Sequence, residues 1–226
     1  HIRTTVVHST EASEDEEERD NVVHRVIYAG QIAAGDMDGD RRDEIVVAVN
    51  DSGINYNHED LKDNMWINTG EIPDNRIDDD KNGYIDDYYG VDIVAGSGSG
   101  DDTNGHGTHV AGIIGAVNNN DKGVSSIAGG TGNNDGVRLM TCQIFEGSMS
   151  ASDSQNAAAY IYAADNGACI AQCSYGNSFA ITEDDMYING GEFKIDGKDV
   201  KLDGSPLENA ALRYFLDPAN SNHPSL

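Results

Sequence analysis

The chain has 226 residues, which suits one domain or one domain with appendages. It carries 40 Asp and Glu against 14 Lys and Arg, a net charge of -26, which excludes nucleic-acid binding through the phosphates. The same acidity fits calcium binding, or solubility in a salty or extracellular setting, and no apolar run of about 18 residues offers a membrane span.

In chain order, residues 4–7 form a short β-like run. The acidic run at 11–20 reads as a solvated loop or tether, residues 22–28 are apolar again, and residues 1–29 together make an acidic N-terminal segment. The chain starts at His1 with no basic-then-apolar leader, so a removed signal peptide or a trimmed start is expected. Residues 45–49 are a continuous, β-branched apolar run, the pattern of a strand covered on both faces, and it ends at Asp51. Residues 57–66 hold a helical turn, and 68–100, dense in Asp, Asn and Gly, are loop. A helix is expected over 106–117 and a buried strand over 137–145. A second helix spans 154–166, with Ala158, Ile161, Tyr162 and Asp165 on one stripe and Gly167 as its stop. A third strand spans 168–174. Residues 192–202 alternate around Asp196 and Gly197, a hairpin signal, so 177–204 read as a hairpin insertion. Ser205 and Glu208 then have capping-box spacing with Pro206 at the first helical position, followed by Leu207, Ala210, Ala211, Tyr214 and Phe215 at helical spacing.

Strands and helices alternate, which predicts an α/β fold with a mostly parallel sheet flanked by helices. Ligands then bind outside the carboxyl ends of the strands, where Asp51 and Ser174 both fall. The three cysteines sit in apolar runs and read as buried thiols. Cys169 and Cys173 lie roughly 13 Å apart along one strand, too far to bond to each other. A bridge from Cys142 to one of them is the lesser alternative.

Residues 105–112 read G-H-G-T-H-V-A-G. Two glycines bracket His106 at the mouth of the expected helix, so its imidazole is free to face a cleft. Asp51, at a strand end, can meet it. A carboxylate that fixes the tautomer of a histidine base and stabilises its protonated form is two-thirds of a serine-protease relay. His109, one turn on, reads as a packing residue or a local hydrogen-bonder. A zinc site from His106 and His109 is the weaker reading, without an H-E-x-x-H pattern or a clear third ligand.

The segments V-A-V-N-D-S-G-I-N-Y-N-H-E-D-L and N-G-H-G-T-H-V-A-G-I-I-G-A resemble the aspartate and histidine boxes of the subtilisin-like serine proteases, and C-I-A-Q-C-S-Y-G resembles the substrate-binding strand that follows them. The resemblance covers about residues 44–176 well and the remainder loosely. It implies a three-layer subtilisin-like fold, incomplete in this chain, with residues 30–226 as the N-terminal part of a catalytic domain. It further implies Asp51 as orienting carboxylate, His106 as general base, and a peptide-binding cleft lined by Ser174, Tyr175 and Gly176, with Gly147 and Ser148 on the opposite edge. The family's oxyanion asparagine and its G-T-S nucleophile box are not found. Ser52 belongs to the aspartate box and is no substitute, so the chain alone is expected to be inactive and to need a companion C-terminal segment or chain.

Residues 78–87 read D-D-D-K-N-G-Y-I-D-D. Asp78, Asp80 and Asn82 alternate, Gly83 gives the turn, Tyr84 offers its carbonyl, and Asp86 follows: the first nine positions of an EF-hand-type calcium loop. Tyr89 stands where a bidentate glutamate belongs, leaving Asp87 or another residue to supply that ligand. Residues 36–44 put Asp36, Asp38, Asp40 and Glu44 at calcium spacing, with Arg41 in place of the turn glycine; this resembles an FG-GAP repeat, read here as a calcium-clasped turn feeding the next strand. The expected protein is a secreted or cell-surface, calcium-stabilised serine endopeptidase acting on peptides or proteins. The alternative is a non-catalytic calcium-binding pseudoprotease or adhesion module.

Overall fold

The computed structural model describes residues 25–28, 45–147, 151–175, 187–189, 192–195, 198–200 and 205–217. Among these, a five-stranded sheet has the order β1 (Arg25–Tyr28), β5 (Ile170–Cys173), β2 (Val46–Asp51), β4 (Arg138–Gln143) and β3 (Gly90–Asp92). β5, β2, β4 and β3 run parallel, and β1 pairs with β5 antiparallel. Three strands, β6 (Tyr187–Asn189), β7 (Glu192–Ile195) and β8 (Lys198–Val200), form a separate antiparallel sheet. In it Ile195 pairs with Lys198, and the expected turn residues Asp196 and Gly197 lie outside the described residues.

β2 is the central strand, and all six of its residues are buried. Successive side chains on a strand point to opposite faces, so a strand covered on both faces reads as a near-continuous apolar run, here Val46–Val49, followed by the buried polar pair Asn50 and Asp51. Val46 and Ala48, with Met140 and Cys142 of β4, pack on one face beneath α2 (Asp153–Asp165) and α3 (Pro206–Leu216). Val49 and Leu139 pack on the other, beneath α1 (His106–Gly115). The result is three layers, helix–sheet–helix, with two cores.

The small residues of α1 let it lie close to the sheet. Gly107, Ala111 and Gly115 recur every four residues and are its buried positions. A methyl group built on Gly107 would meet the Gly53 carbonyl oxygen at 2.1 Å, and one on Gly115 would meet the Val137 side chain at 2.9 Å. The helix ends at Gly115, two residues short of the expected bound, because Ala116 is already extended.

Several local expectations are corrected. The expected stripe on α2 is not its buried face: Ile161 and Asp165 are exposed, while Ala157, Ala159, Tyr160, Tyr162, Ala163 and Ala164 are buried. α2 packs against both the sheet and α3 and so buries more than one stripe. Its start carries the capping box that the sequence analysis assigned elsewhere. Ser152 accepts from the Gln155 N–H while the Gln155 side chain accepts from the Ser152 N–H. Ser205 makes no such side-chain cap before α3, although Pro206 does occupy the first turn. β3 lies inside the stretch expected to be loop. All three cysteines are buried thiols and none is in a disulfide. Cys142 and Cys173 sit opposite Asn50 from the two sides of β2, two strand spacings or about 10 Å apart, beyond disulfide reach.

Candidate functional site

Because β2, β4 and β5 are parallel, their carboxyl ends share one edge of the sheet. Asp51 closes β2 there. Its side chain is wholly buried, and its Oδ1 accepts the Ser52 N–H at 2.7 Å. The Nδ1 of His106 lies 2.7 Å from the same oxygen. His106 is the first residue of α1, and its side chain stays 47% exposed, so the ring is held on one edge and open on the other. Asp51 Oδ2 is buried without a hydrogen-bond partner among the described residues. His109, one turn further, is exposed.

The turn that carries His106 has its own anchor, Asp102, which the sequence analysis did not single out. Asp102 Oδ1 accepts from the Ser52 hydroxyl and from the N–H groups of Asn104 and Gly105, each at 2.9 Å. Its Oδ2 accepts from the Thr108 N–H at 2.9 Å and the Thr108 hydroxyl at 2.6 Å. Ser52 Oγ in turn accepts the Gly107 N–H at 2.9 Å. Partial burial works against the Asp102 charge, but the Thr108 hydroxyl and the N–H groups of Gly105, Thr108 and Asn104 outweigh it and hold the carboxyl below its ordinary value. The only sequence signal was an aspartate shortly before a helix start, and its twin Asp101 hid it.

The flanking strands supply walls. Beyond β4, the Gly147 carbonyl accepts from Asn104 Nδ2 at 3.0 Å, tying that edge to the histidine turn. Beyond β5, Ser174 accepts from Gln172 Nε2, and the ring of Tyr175 meets that of Phe145 edge-on, with centroids 6.5 Å apart. The structure thus brings Asp51, His106, Gly147, Ser174 and Tyr175 to one end of the sheet. Ser148 and Gly176 lie outside the described residues, as do Asp36, Asp38, Asp40 and Glu44.

The pattern of the subtilase family matches residues 42–222. The chain belongs to the subtilase family. Over 82 residues it is 51% identical to Subtilisin-like protease 1 of Plasmodium falciparum (isolate 3D7), a stretch that is 36% of this chain and 12% of that protein. Over 130 residues it is 34% identical to the Thermophilic serine proteinase of Bacillus sp. (strain AK1), 58% of this chain and 25% of that protein. Over 86 residues it is 35% identical to the Halolysin-like extracellular serine protease Nep of Natrialba magadii, 38% of this chain and 13% of that protein. The matched stretches thus span an eighth to a quarter of these relatives.

A second cluster of this subtilase chain lies in the 68–100 stretch. One carboxylate oxygen each from Glu71, Asp80 and Asp87 lies within 4.8 Å of the others. Glu71 is buried, its Oε1 accepting from the N–H groups of Asp79 and Asp80 and its Oε2 from that of Asp86. Asp87 is buried and accepts from the Tyr162 hydroxyl at 2.6 Å and from Asn82 Nδ2 at 2.9 Å. Burial raises the Asp87 carboxyl above its ordinary value, against the Tyr162 and Asn82 hydrogen bonds that lower it. Among the described residues, no lysine or arginine forms an ion pair with any of the three. The remaining loop positions spread out. Asp78 accepts from the N–H groups of Asn82 and Gly83, and Tyr84 N–H donates to Asn82 Oδ1. The Asp86 carboxylate accepts from the N–H groups of Asn75 and Arg76, on a neighbouring turn. Glu71 was missed because it stands seven residues before the aspartate run, in no spacing pattern with it.

Proposed function

We propose that the chain is the aspartate- and histidine-bearing part of a secreted, calcium-stabilised subtilisin-like serine endopeptidase. The observation that carries this reading is the 2.7 Å contact between His106 Nδ1 and a wholly buried Asp51, with the other edge of the imidazole open. In that arrangement Asp51 fixes the tautomer with the proton on Nδ1, leaving Nε2 as the base. A serine hydroxyl supplied from outside these 226 residues attacks the peptide carbonyl while Nε2 takes its proton. His106 then returns the proton to the leaving amine, and water repeats the sequence on the acyl-enzyme. Asp51 balances the imidazolium at each stage. An extended substrate pairs its backbone along Ser174, Tyr175 and Gly176, with Gly147 and Ser148 across the cleft.

The oxygens of Glu71, Asp80 and Asp87 suit calcium, whose ligands stand about 2.3–2.6 Å from the ion, so that a 4.8 Å spread across it is allowed. Two neighbouring buried carboxylates with no cationic side chain paired to them favour a bound cation. Asp78, Asn82, Tyr84 and Asp86 shape the turns around it, and Glu71 takes the place of the glutamate lacking at Tyr89. When bound, the ion would join three points of one loop, at residues 71, 80 and 87. Secretion is supported by the acidic composition and by the extracellular relative.

Intact mass spectrometry with a fluorophosphonate serine probe tests the reading. The 226-residue chain alone should stay unlabelled, and the complete protein should gain one probe mass that is lost in His106→Ala. A complete, folded protein that never takes the probe would reduce this chain to a pseudoprotease.

A further inference from the structure

We propose that Asp102 is a positioning residue for the Asp51–His106 pair, acting through Ser52 and through the backbone of the turn that carries His106. The catalytic meaning of this role rests on the endopeptidase reading above; its geometry does not.

Asp51 needs no help to stay in place. It ends the central strand and is sealed on every side. His106 is different, because its half-exposed ring has little packing to locate it. Its position is set by the turn at 104–108, and four of that turn's hydrogen bonds converge on one carboxylate. Asp102 takes up the N–H groups of Asn104, Gly105 and Thr108, which flank His106 on both sides. It also takes the Ser52 hydroxyl, and Ser52 Oγ takes the Gly107 N–H. Ser52 is the residue whose own N–H binds Asp51 Oδ1. A continuous path therefore runs from the base through its turn to Asp102, on to Ser52, and back to the orienting carboxylate.

Two further features make this anchor strict. Gly105, which precedes α1, has no side chain with which to cap the helix, so the free N–H groups of its first turn need other acceptors: Asn104 Oδ1 takes that of His106, Ser52 Oγ that of Gly107 and Asp102 that of Thr108, at the helix end where a negative charge is favoured. Gly107 sits so close to the Gly53 carbonyl that the turn cannot slide toward the strand. A turn released from Asp102 can only move away, lengthening the His106–Asp51 contact.

The test begins with proton NMR of the 226-residue chain. The His106 Nδ1 proton is the downfield resonance that Asp51→Asn removes. Asp102→Asn cannot accept the Thr108 N–H through its amide nitrogen, and it should lose the same resonance to solvent exchange while circular dichroism shows a folded chain. Asp135→Asn, a remote carboxylate bound to Thr131, should leave the resonance in place. A folded Asp102→Asn that keeps the wild-type resonance overturns the proposal. If that variant does not fold, Ser52→Ala decides in the same way. In the complete protein, Asp102→Asn should slow fluorophosphonate labelling and kcat by about ten- to a hundredfold with KM unchanged, the loss typical of a small misplacement. Undiminished labelling overturns the positioning role and leaves the endopeptidase reading intact. A complete wild-type protein that never labels overturns that reading, and the resonance alone then judges the geometry.

Discussion

At the scale of single residues, the two carboxylates beside His106 do opposite things to stability. Asp51 is buried with one oxygen bound to His106 and Ser52 and the other without a partner. A buried charge so incompletely paired is held for chemistry rather than for folding. Asp51→Asn is therefore expected to leave the melting temperature of the chain unchanged or raised, while kcat of the complete protein falls by about 10⁴. Thermal melts and steady-state kinetics read the two effects separately. Asp102 has its carboxyl held below the ordinary 3.8 by hydrogen bonds from Thr108, Gly105 and Asn104 that outweigh its burial. A depressed folded value means stability that is present above the unfolded pKa and lost as pH falls through the folded one. Denaturant titrations from pH 7 to pH 3 should show wild type ahead of Asp102→Asn by a constant margin until about pH 4, where the unfolded carboxyl titrates, and by a shrinking margin below. Asp51 and His106 were legible because their boxes place each at the end of an element whose pattern is plain. Asp102 and Glu71 were not, because each works by gathering backbone N–H groups, and no side-chain pattern in a sequence announces which loop will fold around a carboxylate.

At the scale of elements, helix placement depends on what is small and what is capped. Gly107→Ala would drive a methyl group into the Gly53 carbonyl and up against the buried Asp51 side chain. It is expected to destabilise the chain by about 1–3 kcal/mol, seen as a lower urea midpoint at constant m-value. Ser152→Ala removes one half of the capping box of α2 and is expected to lower stability by about 0.5–2 kcal/mol in the same measurement. The strands β2, β4 and β5 were readable because each carries successive apolar residues, Val46–Val49, Leu139 with Met140, and Ile170 with Ala171, as a strand covered on both faces does. β3 escaped because three residues, Gly90–Asp92, carry no period and lie in a stretch rich in aspartate and glycine. It is a strand only because its backbone pairs with β4. The face of α2 was misjudged for a related reason. A helix packed against both the sheet and α3 buries more than one stripe, and its five alanines, with tyrosines on either side of Ile161, leave little contrast from which the exposed side can be read.

At the scale of the whole molecule, the net charge of -26 and the paired burial of Glu71 and Asp87 make the fold sensitive to cations. Calcium at about a hundred times its Kd should add about 2.7 kcal/mol if it binds only the folded chain, and a chelator should remove that increment. Glu71→Gln with Asp80→Asn should abolish the calcium-dependent rise in melting temperature; a rise that survives the double change would place the ion elsewhere. The Asp87–Tyr162 hydrogen bond extends this effect, because it joins the loop to the last turn of α2. One more property follows from where the members of the pair reside. Asp51 belongs to a strand with neighbours on both sides and helices above and below, whereas His106 belongs to an exposed turn held by polar contacts. Amide hydrogens of β2 should therefore exchange only when the entire domain opens, and those of residues 104–108 through small local openings. Heat inactivation of the complete enzyme should accordingly run ahead of heat denaturation: the base drifts from its partner while the sheet is still whole, and prompt cooling restores both.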